Sequence, residues 1–276
     1  MPVPMPTQTN PARSPVLYLP HGGGPRPLMD DPDHANLTRF LGTVAPRLGT
    51  PAAILVISAH WEASVATLTA NPQPPLYFDY YGFPPETYTY RYPAPGDPAL
   101  AQAIAHRLGQ HDIPARLDPQ RGYDHGLFVP LLLMYPQARI PCLQLSLLEG
   151  LDPARHMALG QAIADLREQN VLIVGSGLSF HNMQALRSDD PDSKQRAIRF
   201  DDWLVETCCA EGLDTATRTR RLLDWAQAPQ ARFCHPREEH LLPLHVCFGA
   251  AGADSQAELV FNDTVIGKRV SGFLWH

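Results

Sequence analysis

Short, strand-length apolar runs separated by segments of helical spacing constrain this chain more than any other feature. The runs are Val16-Leu17-Tyr18-Leu19, residues 52–59, residues 141–147, Val171-Leu172-Ile173-Val174 and Glu258-Leu259-Val260-Phe261. Those at 16–19, 52–59 and 171–174 lack polar alternation, the pattern of strands buried on both faces. Leu37, Phe40, Leu41 and Val44 recur at helical spacing, with Pro46 as the expected stop. Pro98–Gln110 and residues 156–169, 199–210 and 235–249 read as further helices, the last opening behind Pro236 or Pro243. Residues 127–134 read as another, with Pro130 in its first turn. Alternating strands and helices predict an α/β fold, a central, mostly parallel sheet flanked by helices. No repeat or break in composition divides the chain. One domain is expected over residues 16–276, behind a loose proline-rich arm at 1–15.

Composition removes several classes of function. Hydrophobic residues make up 44% and charged residues 18%, enough apolar side chain for a sizeable core, so a mainly disordered chain is excluded. Acidic residues outnumber basic ones, 28 to 22, and the formal net charge of -6 has the wrong sign for a dedicated nucleic-acid or anionic-membrane binder. No apolar run approaches the ~20 residues of a membrane helix. The five cysteines, at 142, 208, 209, 234 and 247, are odd in number and form no CxxC. Neither a disulfide framework nor a thiolate zinc site is expected. Residues 1–15 hold no apolar segment of the secretory kind, so a cytoplasmic location is expected.

Proline and aromatic residues crowd together over residues 71–97, where neither a long helix nor a central strand can form. That stretch is expected to be an extended wall. Tyr77, Phe78, Tyr80, Tyr81 and Phe83 either line a cavity or anchor the loop to the core, with equal weight.

Three of the apolar runs end at a histidine: His21, His60 and His181. In open α/β sheets ligands bind just beyond the carboxyl ends of the strands. One such histidine is ordinarily a polar loop residue. Three of them converging on one crevice point to a metal site or to acid–base chemistry. His125 and His240, each near a helix start, read with equal weight as site residues or as capping or surface residues. His34, His106, His111, His156 and His276 read as facing solvent, and His235 and His245 receive no role.

Three local motifs fail on inspection. His21-Gly22-Gly23-Gly24 matches an esterase oxyanion loop, but its partner elbow would be Gly177-Leu178-Ser179-Phe180-His181, with histidine where close packing wants a small residue. Gly175-Ser176-Gly177 opens like a dinucleotide loop, yet Phe180 holds the third glycine position. His235-Pro236-Arg237-Glu238-Glu239-His240 has one residue too many for a zinc-protease helix, and Pro236 keeps its histidines off one helical face.

Six pieces in order resemble the DOPA-type branch of the class III extradiol ring-cleavage dioxygenases, the LigB superfamily. They are Pro20-His21-Gly22-Gly23-Gly24-Pro25, Ser58-Ala59-His60-Trp61, Tyr92-Pro93-Ala94-Pro95-Gly96, Asp124-His125-Gly126, Phe180-His181-Asn182-Met183 and Glu239-His240-Leu241-Leu242-Pro243-Leu244. Each is weak alone, but together they span nearly the whole chain. The resemblance implies one divalent metal held by His21, His60 and His240, with His181 close by as a fourth ligand or a catalytic neighbour. It implies a catalytic histidine at His125. Its place just before a helix favours a neutral imidazole, an effect that the adjacent Asp124 is expected to oppose by stabilising the imidazolium.

The implied reaction is extradiol opening of a catechol by O2 to a muconic semialdehyde. Fe(II) is expected for turnover. Zn(II), which outranks it in affinity for nitrogen donors, is expected in the site as found. The partners are then a small catechol and O2, with no nucleic acid or membrane, on a monomer or small homo-oligomer. A zinc-dependent hydrolase and a non-enzymatic metal- or peptide-binding protein on the same scaffold are the alternatives.

Overall fold

Val16–Pro20 form β1, buried at every position as its unbroken apolar run requires. The computed structural model describes residues 13–186, 188–252 and 256–276. After β1, α1 (Ala35–Leu48) returns the chain to β2 (Ala53–Ala63) and β3 (Ala66–Thr69). Then α2 (Pro98–Gln110) leads to β4 (Ala115–Asp118), α3 (His125–Met134) to β5 (Cys142–Leu148), and α4 (Pro153–Ala162) to β6 (Val171–Gly177). Next come α5 (Pro191–Cys209), α6 (Thr215–Leu223), α7 (Ala231–Cys234) and α8 (Leu242–Ala251). The hairpin of β7 (Glu258–Val265) and β8 (Lys268–Trp275) ends the fold.

Among the described residues eight strands make one sheet, in the order β4-β3-β5-β2-β6-β1-β8-β7. β5, β2, β6 and β1 run parallel at its centre, and β3 and β8 join them antiparallel. Neighbouring residues of β6 reveal the layers. A Cβ on Gly175 would strike Cys247 and the Pro243 carbonyl of α8, whereas Ser176 bonds to α3 through the Gly126 carbonyl. Side chains alternate along a strand, so α8 covers one face and α3 the other. Helix α4 packs on α8, and α1 packs on α3. The fold is a single-domain α/β sandwich.

Several boundaries differ from expectation. Pro46 lies inside α1, which stops instead at Gly49, whose φ of 73° favours glycine. Helix α3 starts at His125, so Pro130 falls in its interior rather than its first turn. β2 does not close at residue 59 but runs through His60. β3, β4 and β8 carry no long apolar run. In β8 the buried polar side chains have partners: Ser271 Oγ donates to Asp201, which half-buried Arg269 also reaches, and Lys268 Nζ donates to the Ser188 carbonyl. Of the N-terminal arm, residues 1–12 lie outside the described residues. Ser14 is buried, donating its N–H to the Arg167 carbonyl at 2.9 Å.

His34 and His156 do not face solvent. His34 Nε2 accepts the Gly23 N–H at 3.0 Å. His156 donates from Nδ1 to the Asp152 carbonyl and accepts the Leu148 N–H at Nε2. His245, equally buried, donates to the Leu222 carbonyl at 2.8 Å. Burial pushes His156 down to about 4, against the pull of its Asp152 bond, and burial also lowers His245.

Unfolded imidazoles titrate near ~6.5. The stability held by the neutral folded forms is therefore complete above that value and lost as pH falls through the folded one. Each histidine contributes up to ~1.4 kcal/mol per pH unit. Urea unfolding midpoints should drop between about pH 7 and pH 5. A flat profile there would contradict the burial of these neutral rings.

Candidate metal centre

His21 follows β1 directly, and its N–H is held by the Gly177 carbonyl at the end of β6 (3.1 Å). His60 sits in a bulge of β2. Ile57 pairs with Leu145 and Glu62 with Leu147, so β2 spends more chain than its partner between those points. Arg121 braces the bulge, donating to the His60 carbonyl (3.3 Å) and stacking on Trp61 (4.5 Å).

His240 arrives from the loop before α8. Its carbonyl accepts from Leu178 N–H and Tyr18 Oη, and a Cβ on Gly177 would lie 2.1 Å from that oxygen. Only glycine admits this approach. The glycines that mimic a dinucleotide loop serve packing instead.

These elements bring three imidazoles together. The Nε2 atoms of His21 and His60 face each other at 3.0 Å, and ligand atoms of His21, His60 and His240 all lie within 4.8 Å of one another. Burial drives the pKa of all three well below its ordinary value, and the neighbouring imidazoles add to the effect. They are uncharged at neutral pH. The Nδ1 sides turn outward: His21 to Ser176 Oγ (3.0 Å), His240 to Glu239 Oε1 (2.9 Å), and His60 toward Asp79 Oδ2 (3.6 Å). Buried neutral imidazoles facing one another, each backed by an oxygen, fit one divalent transition metal.

Two carboxylate-held histidines flank the cluster. His125 packs 3.9 Å from His60, centroid to centroid, and gives both its backbone N–H and its Nδ1–H to Asp79 Oδ1. His181 stacks on His240 at 3.4 Å, with Nδ1 2.8 Å from Glu239 Oε1. The geometry thus groups His181 with Glu239 and His240 rather than with His21 and His60. Burial, the largest single effect, would raise Asp79 and Glu239, but the bonds from His125 and His181 together with neighbouring positive charge and backbone N–H groups hold both carboxyls below the ordinary range.

Neither carboxylate was singled out from the sequence. Asp79 lies amid the aromatics of 71–97, far from His125 in the chain, and no local signal there sets it apart from Glu86 or Asp97. Glu239 had the signal of direct adjacency to His240. Asp124 acts on His125 through charge alone and spends its hydrogen bonds elsewhere. Its carboxylate turns away to Ser58 Oγ, Gln144 Nε2 and Arg121 Nη2, and burial raises its pKa, helped by the charge of Asp79.

Over the histidines opens a cavity of about 310 Å³, walled by Tyr80, Tyr81, Phe83, Leu178, Met183 and Ile266. Tyr77 and Phe78 do not line it. Tyr77 lies under the Arg121 guanidinium, and Phe78 packs on Phe128 in the core. An apolar chamber of this size with polar groups at its floor suits a small, flat molecule.

Fold and site together define an α/β protein with a histidine cluster suited to a metal, beneath a cavity sized for a small molecule. Residues 14–268 match the family of the catalytic LigB subunit of aromatic ring-opening dioxygenase. The chain belongs to this family, whose members are metal-dependent. It is 37% identical to the dioxygenase tasH of Hapsidospora irregularis, over 95% of this chain and 85% of that protein. It is 38% identical to the 4,5-DOPA dioxygenase extradiol of Beta vulgaris, over 90% of each. In structure it is similar to the uncharacterized protein JW3007 of Escherichia coli K12, with a TM-score of 0.76 and 27% identity, covering 95% of this chain and 99% of that one. The family and these relatives support an enzyme of the ring-cleaving dioxygenase class.

Proposed function

We propose that this chain opens a catechol-type ring beside its hydroxyls, consuming O2 and releasing a muconic semialdehyde. The observation that carries the reading is the cluster of neutral imidazoles, beside a carboxylate-held histidine, at the floor of an aromatic-walled cavity. His21, His60 and His240 would hold one divalent metal, with His181 as a fourth ligand or neighbour. Fe(II) bound there supplies the redox chemistry between O2 and a catecholate, which d¹⁰ Zn(II) cannot supply although it binds the same nitrogens well.

The chain's own groups handle the protons and the ring. Nδ1 of His125 is committed to Asp79, so Nε2 is the nitrogen left to take a catechol proton. Asp79 stabilises the imidazolium so formed, and His125 returns the proton as the ring opens. His181, tethered by Glu239, offers a second exchangeable nitrogen from the His240 side. Tyr80, Tyr81 and Phe83 orient the ring and keep water from it.

The reading takes residues 16–276 as the catalytic unit, in a cytoplasmic monomer or small homo-oligomer without nucleic-acid or membrane partners. No helix among the described residues is long and apolar enough to cross a membrane. Asp79→Asn keeps the shape and removes the charge, and is expected to lower kcat ~10–100-fold. Wild-type kcat in that variant would show the pair to be idle.

The whole reading is tested by anaerobic reconstitution with Fe(II) and a panel of catechols. Oxygen uptake with a yellow product is expected, and the zinc form should be inactive. Amide or ester hydrolysis without oxygen uptake would favour the hydrolase instead.

A further inference from the structure

We infer that Ser176, through the break that Pro130 makes in α3, is a positioning residue that dictates which nitrogen of His21 faces the metal. The inference rests on the reading of His21 as a ligand. A neutral imidazole carries one N–H and one lone pair, and only the lone pair can bind a metal. Which nitrogen has which is set by the partner of the other one.

His21 Nδ1 lies 3.0 Å from Ser176 Oγ, and both residues are buried. A hydroxyl can accept or donate, so this contact alone decides nothing. Its single proton, however, is already committed. Ser176 Oγ donates to the Gly126 carbonyl at 2.5 Å. Toward His21 the hydroxyl can therefore only accept, so Nδ1 must carry the proton. The lone pair is left on Nε2, which faces His60 at 3.0 Å.

The Gly126 carbonyl is free to receive that proton for a reason written in the sequence. In α3 its helical partner would be the N–H of residue 130, and Pro130 has none. A buried carbonyl without a partner requires a donor from elsewhere, and Ser176 provides it. The approach also needs glycine. A Cβ on Gly126 would lie 2.4 Å from Ser58 Oγ and 3.3 Å from Ser176 Oγ. Ser58 and Ser176 are cross-strand neighbours on β2 and β6, so the end of α3 is wedged against both. The chain of dependence runs from Pro130 through Gly126 and Ser176 to His21.

Pro130→Ala separates this role from simple packing. Alanine restores the helical N–H and improves helix propensity, which favours the fold. The same N–H shares the Gly126 carbonyl and weakens its hold on the Ser176 proton, so that the hydroxyl turns more readily toward His21 Nδ1. The proton on His21 then shifts to Nε2, the nitrogen that must be bare. Stability and metal affinity are thus expected to move in opposite directions.

The test uses the full chain, with Zn(II) affinity measured by chelator competition and apo stability by thermal melting. Imidazole nitrogen NMR on the apo protein reports the tautomer. Wild-type His21 should show a protonated Nδ1 and a bare Nε2. Ser176→Ala and Pro130→Ala should each weaken Zn(II) binding by ~10–100-fold, with apo Pro130→Ala melting no lower than wild type. His21→Ala should lose binding beyond either.

A bare Nδ1 in the wild type would overturn the inference. So would wild-type affinity in both Ser176→Ala and Pro130→Ala while His21→Ala is defective. Weak binding that merely follows lost apo stability in both would reduce Ser176 to packing and overturn it too. Wild-type affinity in His21→Ala would remove the ligand assignment itself, and the relay with it.

Discussion

Replacing His125 by alanine is expected to lower kcat by ~10²–10⁴ while the metal content of the protein stays whole. His125 gives Nδ1 to Asp79 and lines the cavity, the placement of a proton carrier rather than of a ligand. The competing view, that His125 serves only to cap α3, predicts a loss of about 1 kcal/mol in stability and nearly intact turnover. The geometry separates the two cleanly. The group that accepts the His125 backbone N–H is Asp79 Oδ1, which remains when the imidazole is removed. Little stability should therefore be lost. A purified variant that keeps both its iron and its wild-type kcat would remove His125 from the reaction.

The second large effect is expected at the cluster itself. His60→Ala or His240→Ala should abolish stoichiometric metal binding, a loss beyond the ~10–100-fold that outer partners of ligands typically cost. Each contributes a neutral nitrogen on the same small volume as His21, and two imidazoles alone leave a weak site. His181→Ala provides the internal comparison, because its ring stacks on His240 and its Nδ1 is tied to Glu239. Metal analysis after dialysis reads all three variants. Full metal content in His60→Ala or His240→Ala would refute the ligand assignment, and a deficit in His181→Ala equal to theirs would make it a fourth ligand.

The central sheet was legible because β1, β2 and β6 are buried on both faces and so must be apolar along their length. β8 was hidden because its polar residues are satisfied by Asp201 and the Ser188 carbonyl, partners that no local pattern announces. The strand-end argument selected His21, His60 and His181, all of which reach the site, though His60 does so from a bulge inside β2 rather than beyond its end. His125 and His240 stand before helices, where no periodicity marks them, and only the family resemblance promoted them. Asp124 acts on His125 through charge alone, because adjacency at a helix start does not aim its carboxylate at the ring. Asp79 was missed for the converse reason, since it meets His125 only after the proline-rich wall has folded over α3. His34 and His156 were misplaced because their polar partners are backbone groups, invisible to any pattern of side chains.

The most direct test is turnover of a catechol by the Fe(II)-loaded protein under isotopically heavy oxygen gas, with the product reduced at once to stop aldehyde exchange with water. The account predicts that both heavy atoms appear in one ring-opened product, one in the new carboxylate and one in the alcohol derived from the aldehyde. A product that carries no heavy oxygen, its new oxygen drawn from water instead, would contradict it.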